Sequence, residues 1–361
     1  MRLALAILAL MLAATAGCSA VFPDGVIYPS ITPDPAVSGT RSVDVAFTFE
    51  GEPVAFTVDV ESALYAGASA ADKQVIRFGN ARADDWIEDY FPAFITEEHQ
   101  APFYDALIAA FRAVRDQHGL DADRYAELMT AYVQSITYRI DPADMSPKFP
   151  VETFVEGNGD CDDKTLLLGA LLSREGYDVA VLMFEPEQHV ALGIRSQDLP
   201  YRDTGYAFVE TTVPSYIGQV PESLEGGLTL ESEPHVFTIG GGQTPYTAGS
   251  QVAAILEARA AAVAEAERLN AEIVAADAEL STSEAEVYAA RSELESLKAA
   301  GRVTEYNARV DAYNALVAEH NRKLEDRNTL AARHNELAAV DRLVAGGTAD
   351  RAGTYAALLA R

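Results

Sequence analysis

The chain has 361 residues, with 55 Asp and Glu against 27 Lys and Arg, a formal net charge of −28. Acidity on this scale excludes electrostatic docking on nucleic-acid phosphates or on anionic lipid. The length predicts one to three domains with ample core, and two cysteines are too few for a disulfide scaffold.

The chain opens with Met1, Arg2 and an apolar run, Leu3–Leu12, the length of a signal-peptide core and too short to span a bilayer. Thr15-Ala16-Gly17-Cys18 follows and resembles a lipobox, which implies removal of residues 1–17 and lipidation of Cys18. An ordinary secretory signal cut near Ala16 or Ala20 is the alternative. Either way the protein is expected to be exported, and with Cys18 lipidated it is held at the outer face of a membrane. Residues 18–42, with Pro23, Pro29, Pro33 and Pro35, read as an extended tether.

The two alternating runs Val43–Phe49 and Val54–Val60 flank Glu50-Gly51-Glu52-Pro53 and predict a β-hairpin. Residues 61–140 read mostly as helices, with apolar residues at three- and four-residue spacing over Pro102–Val114 and Ala122–Ile136. Trp86, Tyr90 and Phe91 form an aromatic cluster, expected in the core rather than in a substrate groove. His99 and His118 read as surface residues.

Residues 150–220 form the α/β part. Gly157-Asn158-Gly159 turns into Asp160, a good N-cap, and Cys161 begins a helix that is apolar on nearly every side. A cysteine at a helix N-terminus is placed where the dipole favours the thiolate. Three strands are expected next, at Val179–Phe184, His189–Ile194 and Tyr206–Thr212, giving an α+β unit with an antiparallel sheet. If the last two pair with His189 opposite Glu210, the acid lies within reach of the imidazole, and Val190, Leu192 and Ile194 face the core. A thiol nucleophile needs a base, and the base needs an orienting polar group. Cys161, His189 and Glu210 meet those needs. Asp163 either suits the helix dipole or anchors the loop before the helix.

Residues 221–249, with Gly226-Gly227 and Gly240-Gly241-Gly242, read as a linker. Residues 250–345 hold no proline. A stripe through Leu269, Ile273, Ala276, Leu280, Val287, Ala290, Leu294 and Leu297, with Ser283 in one slot, is heptad-like. Val303, Val310, Val317, Leu324, Ala331 and Ala338 repeat every seven residues. With Gly301 and Arg302 between the arms, an antiparallel coiled-coil hairpin is expected, one continuous rod being the alternative. Asn307, Asn314, Asn321, Asn328 and Asn335 share the seven-residue period, either as a polar seam for a protein partner or self-association, or as a row facing water. Residues 346–361 read as a frayed tail.

Three blocks, Pro150–Thr165, Gln188–Ile194 and Tyr206–Thr212, resemble the transglutaminase-like superfamily, in particular its prokaryotic secreted or membrane-attached branch. Tyr132–Tyr138 and the 43–60 hairpin extend the resemblance over about 43–220, with a helical first part at 43–149 and a catalytic core at 150–220. It implies a papain-like fold, with the cysteine on a central helix and the histidine and acid on the sheet. It assigns Cys161 as nucleophile, His189 as base and Glu210 as third member, where Asp is commoner. The implied activity is cysteine hydrolysis or acyl transfer at amide or peptide bonds of envelope proteins or peptides. The alternative is a retired domain that serves as a cell-surface interaction module through its coiled coil. The oxyanion donors would be the Cys161 backbone N–H with Gln134 or Asn158, because no Gln lies within 135–160. No metal or other cofactor is expected.

Overall fold

The structure, a computed structural model, describes residues 25–78, 86–140, 146–223 and 229–361. Cys18, the leader and Gly226-Gly227 lie outside them. The described chain is a mixed α/β protein with 56% helix and 17% strand and a long C-terminal helical region.

Residues 25–42 pack instead of extending as a tether. Strand β1 (Gly25–Ile27) pairs antiparallel with β4 (Ile76–Phe78). Ile31 is buried, and its N–H donates to Glu97. Strands β2 (Thr40–Phe49) and β3 (Glu52–Glu61) form the expected hairpin. Its turn places Glu50 at φ 50° and Gly51 at φ 77°, the left-handed pair that matches strand twist. Helices Ala101–His118 and Ala122–Ser135 pack against this hairpin through Phe56, Phe111, Phe47 and Tyr132. Of the aromatic cluster, Phe91 is core and contacts Phe237, Tyr90 packs against the core at Phe94, and Trp86 is half-buried against Tyr90.

Two short strands, β5 (Thr137–Tyr138) and β6 (Asn158–Gly159), pair in parallel, and the main sheet, all antiparallel, consists of β7 (Val179–Phe184), β8 (His189–Arg195), β9 (Tyr206–Val209) and β10 (His235–Ile239) in the order β10-β7-β8-β9. β10 falls where a linker was expected. Its alternate residues Phe237 and Ile239 are buried beside β7, so burial of an apolar edge outweighs the local Gly and Pro content. Tyr246, further along the same stretch, is also buried.

Helix Cys161–Arg174 lies on one face of this sheet, against Val190, Leu192 and Ile194 of the core. The approach is close at Gly169, where an added Cβ would sit 3.0 Å from Ile239 and 3.2 Å from Leu192. Leu166, Leu167, Leu168, Leu171 and Leu172 are all fully buried. Each contributes on the order of 2 kcal/mol, which explains why a helix apolar all round is stable here. The opposite sheet face carries a smaller cluster of Leu182, Phe184, Ala191, Tyr201 and Phe208.

Helices Gly249–Ala299 and Val303–Gly346 form a hairpin about 75 Å long, turning at Gly301 with φ 73°. Arg259–Asp341, Arg327–Asp277, Lys323–Glu279 and Arg309–Glu293 contacts run in opposite chain directions and so define an antiparallel pair. The first arm buries or half-buries the whole expected stripe, Leu269 through Leu297. In the second arm the deepest row is Leu330, Leu337 and Val344, while Val303 and Leu324 of the expected row are exposed. All five Asn of the repeat face solvent. The expected frayed tail contains a helix, Arg351–Leu359, in which Arg351 is buried and bonds Glu127.

Candidate active site

The Cys161 helix begins in a capping box. Asp160 accepts from the Asp163 N–H, and Asp163 accepts from the Asp160 N–H. Gly159 is required there, since a Cβ would meet the Asp163 Cβ at 2.6 Å. Asp163 is buried and also accepts from the Lys148 N–H at 2.6 Å. It therefore anchors the loop before the helix. Burial first, and then the neighbouring Asp160, push its carboxyl up to about 6. Asp160, Asp162 and Asp163 bring carboxylate oxygens within 4.8 Å of one another. This is the set of described residues closest to a cation site. Two of the three already cap the helix.

The sequence predicts a thiolate at this helix end, and the environment opposes it. Burial pushes the Cys161 thiol up to about 12, and Asp162 adds to the rise, while the Val190 N–H directed at the sulfur pulls the other way. Here the desolvation cost of a charged sulfur exceeds the helix dipole, which is worth at most a kcal/mol or two. The group is a free, half-buried cysteine whose surroundings favour the neutral thiol.

The contact with Val190 locates that thiol on the sheet. β9 ends at Val209, so the edge of β8 near its start has no strand beside it. The first turns of the Cys161 helix reach that part of β8 through the Thr165 side chain. The Thr165 hydroxyl donates to the Val190 carbonyl at 3.3 Å and lies 3.3 Å from Thr211. His189 is the next residue along β8. A turn that ends in Gln188, at φ 50°, delivers it to the strand.

His189 Nε2 lies 3.4 Å from Glu210 Oε2, and both side chains are buried. Neither atom has another hydrogen-bond partner. At this distance and orientation the contact is an ion-pair approach, not a well-directed hydrogen bond. Glu210 Oε1 accepts from the Thr212 N–H at 2.7 Å and from the Thr212 hydroxyl at 2.6 Å. Burial works to raise the Glu210 carboxyl, but His189 and the Thr212 donors outweigh it and the carboxyl is held below its usual value.

The β8–β9 register differs from the expected one by two residues. Leu192 faces Val209 and Ile194 faces Ala207, so His189 and Glu210 are diagonal neighbours. A two-residue shift keeps both on one sheet face, because side chains alternate with period two. That face is the one opposite the body of the Cys161 helix. The thiol and the imidazole thus reach the strand start from two sides, and no hydrogen bond joins them in this state.

Neither side-chain candidate for the oxyanion donor is free. Gln134 Nε2 donates to the Glu210 carbonyl at 2.8 Å and to the Ser215 carbonyl at 3.0 Å. Asn158 Nδ2 donates to the Glu156 carbonyl, and its Oδ1 accepts from Lys148. The Cys161 N–H, in the first turn, has no acceptor within its helix. The sequence reading overlooked Lys164, which is fully buried and donates to the Ile136 carbonyl at 2.7 Å and the Gln134 carbonyl at 3.3 Å. A lysine within an otherwise apolar helix was the available signal.

Comparison with family models, with curated proteins and with solved structures finds no match to this chain. Among the described residues no helix is long and apolar enough to cross a membrane.

Proposed function

We propose that the chain is an exported, lipid-anchored cysteine hydrolase or acyltransferase of the transglutaminase-like, papain-like type, acting on amide or peptide bonds of envelope proteins or peptides. The observation that carries the reading is the buried His189–Glu210 pair beside the start of β8, to which the helix that opens with Cys161 is joined through Thr165 and the Val190 carbonyl. In the reaction, His189 removes the Cys161 proton as the sulfur attacks the carbonyl carbon. Glu210 stabilises the imidazolium. The Cys161 N–H faces the developing oxyanion. The imidazolium gives its proton to the leaving nitrogen, so ammonia or an amine departs and a thioester remains. Water or an acceptor amine then attacks the thioester, returns a proton through His189 and frees the thiol.

The neutral thiol makes the role of His189 measurable. A thiol near pKa 12 is ionised to only about one part in 10⁵ at pH 7. Alkylation of Cys161 by iodoacetamide at pH 7 is therefore expected to be at least ~100-fold faster in the wild type than in His189→Ala, the low end of general-base effects. Cys161→Ala should abolish labelling and carboxamide hydrolysis. Equal rates with and without His189 would refute the reading.

The raised thiol also favours a second reading, in which the domain has lost catalysis and its helical hairpin docks a protein partner. A slow, His189-independent alkylation together with no hydrolysis of carboxamide or peptide substrates would select it.

A further inference from the structure

We propose that Gln134 is a positioning residue that seats Glu210 against His189, with Lys164 fixing Gln134 in turn; this rests on the Cys161–His189–Glu210 reading above. β9 ends at Val209, one residue before the acid, so ladder pairing does not set the position of Glu210. Two groups set it instead. Its carboxylate is held by Thr212 within its own loop. Its main chain is held from outside that loop by Gln134, whose two amide hydrogens take the Glu210 and Ser215 carbonyls. These carbonyls flank the segment 211–214, so one side chain pins both ends of the loop that carries the acid.

Gln134 sits in the last turn of helix Ala122–Ser135, where the helix carbonyls have no intrahelical N–H donors. Lys164 supplies a donor there, bonding the carbonyls of Gln134 and Ile136. Lys164 belongs to the helix that begins at Cys161. The bracket Lys164–Gln134–Glu210 therefore ties the helix that bears the thiol to the loop that bears the acid. Burial lowers the Lys164 ammonium to about 8, and the negative charge of Glu210 opposes that fall.

The test uses full-length protein with ¹⁵N-labelled histidine, the His189 signals being assigned by their loss in His189→Ala. With Glu210 seated, neutral His189 is expected to carry its proton on Nε2 and leave Nδ1 bare. Gln134→Met, which keeps the length and removes both donors, is expected to turn this into a mixture of tautomers and to move the pH midpoint of Cys161 alkylation. Lys164→Met should move both readouts in the same direction with Gln134 still present. A merely structural Gln134 would lower the melting temperature and leave the His189 signals and the alkylation midpoint at wild-type values; that result overturns the proposal. If neither variant folds, the wild type decides: a mixed tautomer there means that Glu210 is not seated, and the proposal fails. Alkylation of the wild type that does not depend on His189 would refute the hydrolase reading, and the tautomer measurement would still decide the bracket.

Discussion

His189 Nε2 and Glu210 Oε2 meet at 3.4 Å although the two residues do not face each other across the sheet. The longer glutamate arm accounts for this. Glu210 lies one residue beyond the end of β9, and its carboxylate reaches back along the sheet face to the imidazole. The reach of a glutamate is thus matched to a diagonal contact of about 7–8 Å between backbones.

Glu210→Gln keeps the shape and removes the charge that balances the imidazolium. If the proposed relay operates, turnover is expected to fall at least ~100-fold, within the range for a general base that has lost its orienting acid. Glu210→Asp should fall as well, because the shorter arm no longer spans the diagonal. Steady-state rates of the two variants beside His189→Ala check this. A Glu210→Gln rate within two-fold of wild type, on the same constant-temperature assay, would remove Glu210 from the mechanism.

The C-terminal helix gives a pH prediction. Glu127 is buried, accepts from Tyr246 and Arg351, and burial raises its carboxyl to about 7 despite Arg351. An acid with a raised folded pKa binds more protons folded than unfolded between its ordinary value of 4.5 and about 7. Stability should therefore fall as pH rises through that window. Thermal melts at pH 4.5 to 7.5 on wild type and Glu127→Gln are expected to show a smaller fall in the variant.

Arg351 carries the same contact from the other side, and its side chain is 6% exposed. Arg351→Ala leaves Glu127 buried without its cation, a change that costs about 3–5 kcal/mol. Loss of the helix Arg351–Leu359 from the core should appear as a new protease cut in 347–361, detectable by mass spectrometry.

The packing of the Cys161 helix on the sheet is tested at Gly169. Gly169→Val places two methyl groups where Ile239, Leu192 and Ile95 already stand at 3.0–3.3 Å from a single added carbon. Overpacking of this kind costs about 1–3 kcal/mol. Urea unfolding of the full-length chain measures it, and an unchanged midpoint would mean that the helix does not approach the sheet here.

Much of the architecture was legible in the local pattern. The 40–61 hairpin was readable because its strands alternate with period two around a Glu-Gly turn. The first hairpin arm was readable because its heptads set which side faces the partner. The Cys161 helix was readable because an N-cap and a leucine-rich run occur together. The linker expectation failed at His235–Ile239, where Gly and Pro density hid a strand stabilised by pairing with β7 and by packing at Phe91 and Gly169. The tether and tail expectations failed for a related reason. Ile31 and Arg351 are held by Glu97 and Glu127, residues 66 and 224 positions away along the chain.

At the site the division is the same. Local pattern was enough to show that a cysteine opens a buried helix, that a histidine begins a strand, and that an acid follows closely on the next one, because each of these depends on a few adjacent residues. The two-residue register, the commitment of Gln134 and Asn158 to main-chain carbonyls, and the surroundings that push the thiol up emerge only on packing. Register depends on which faces are buried together. Protonation depends on the water excluded and the charges collected around the sulfur, and Asp162 and Val190 reach it only once helix and sheet have packed.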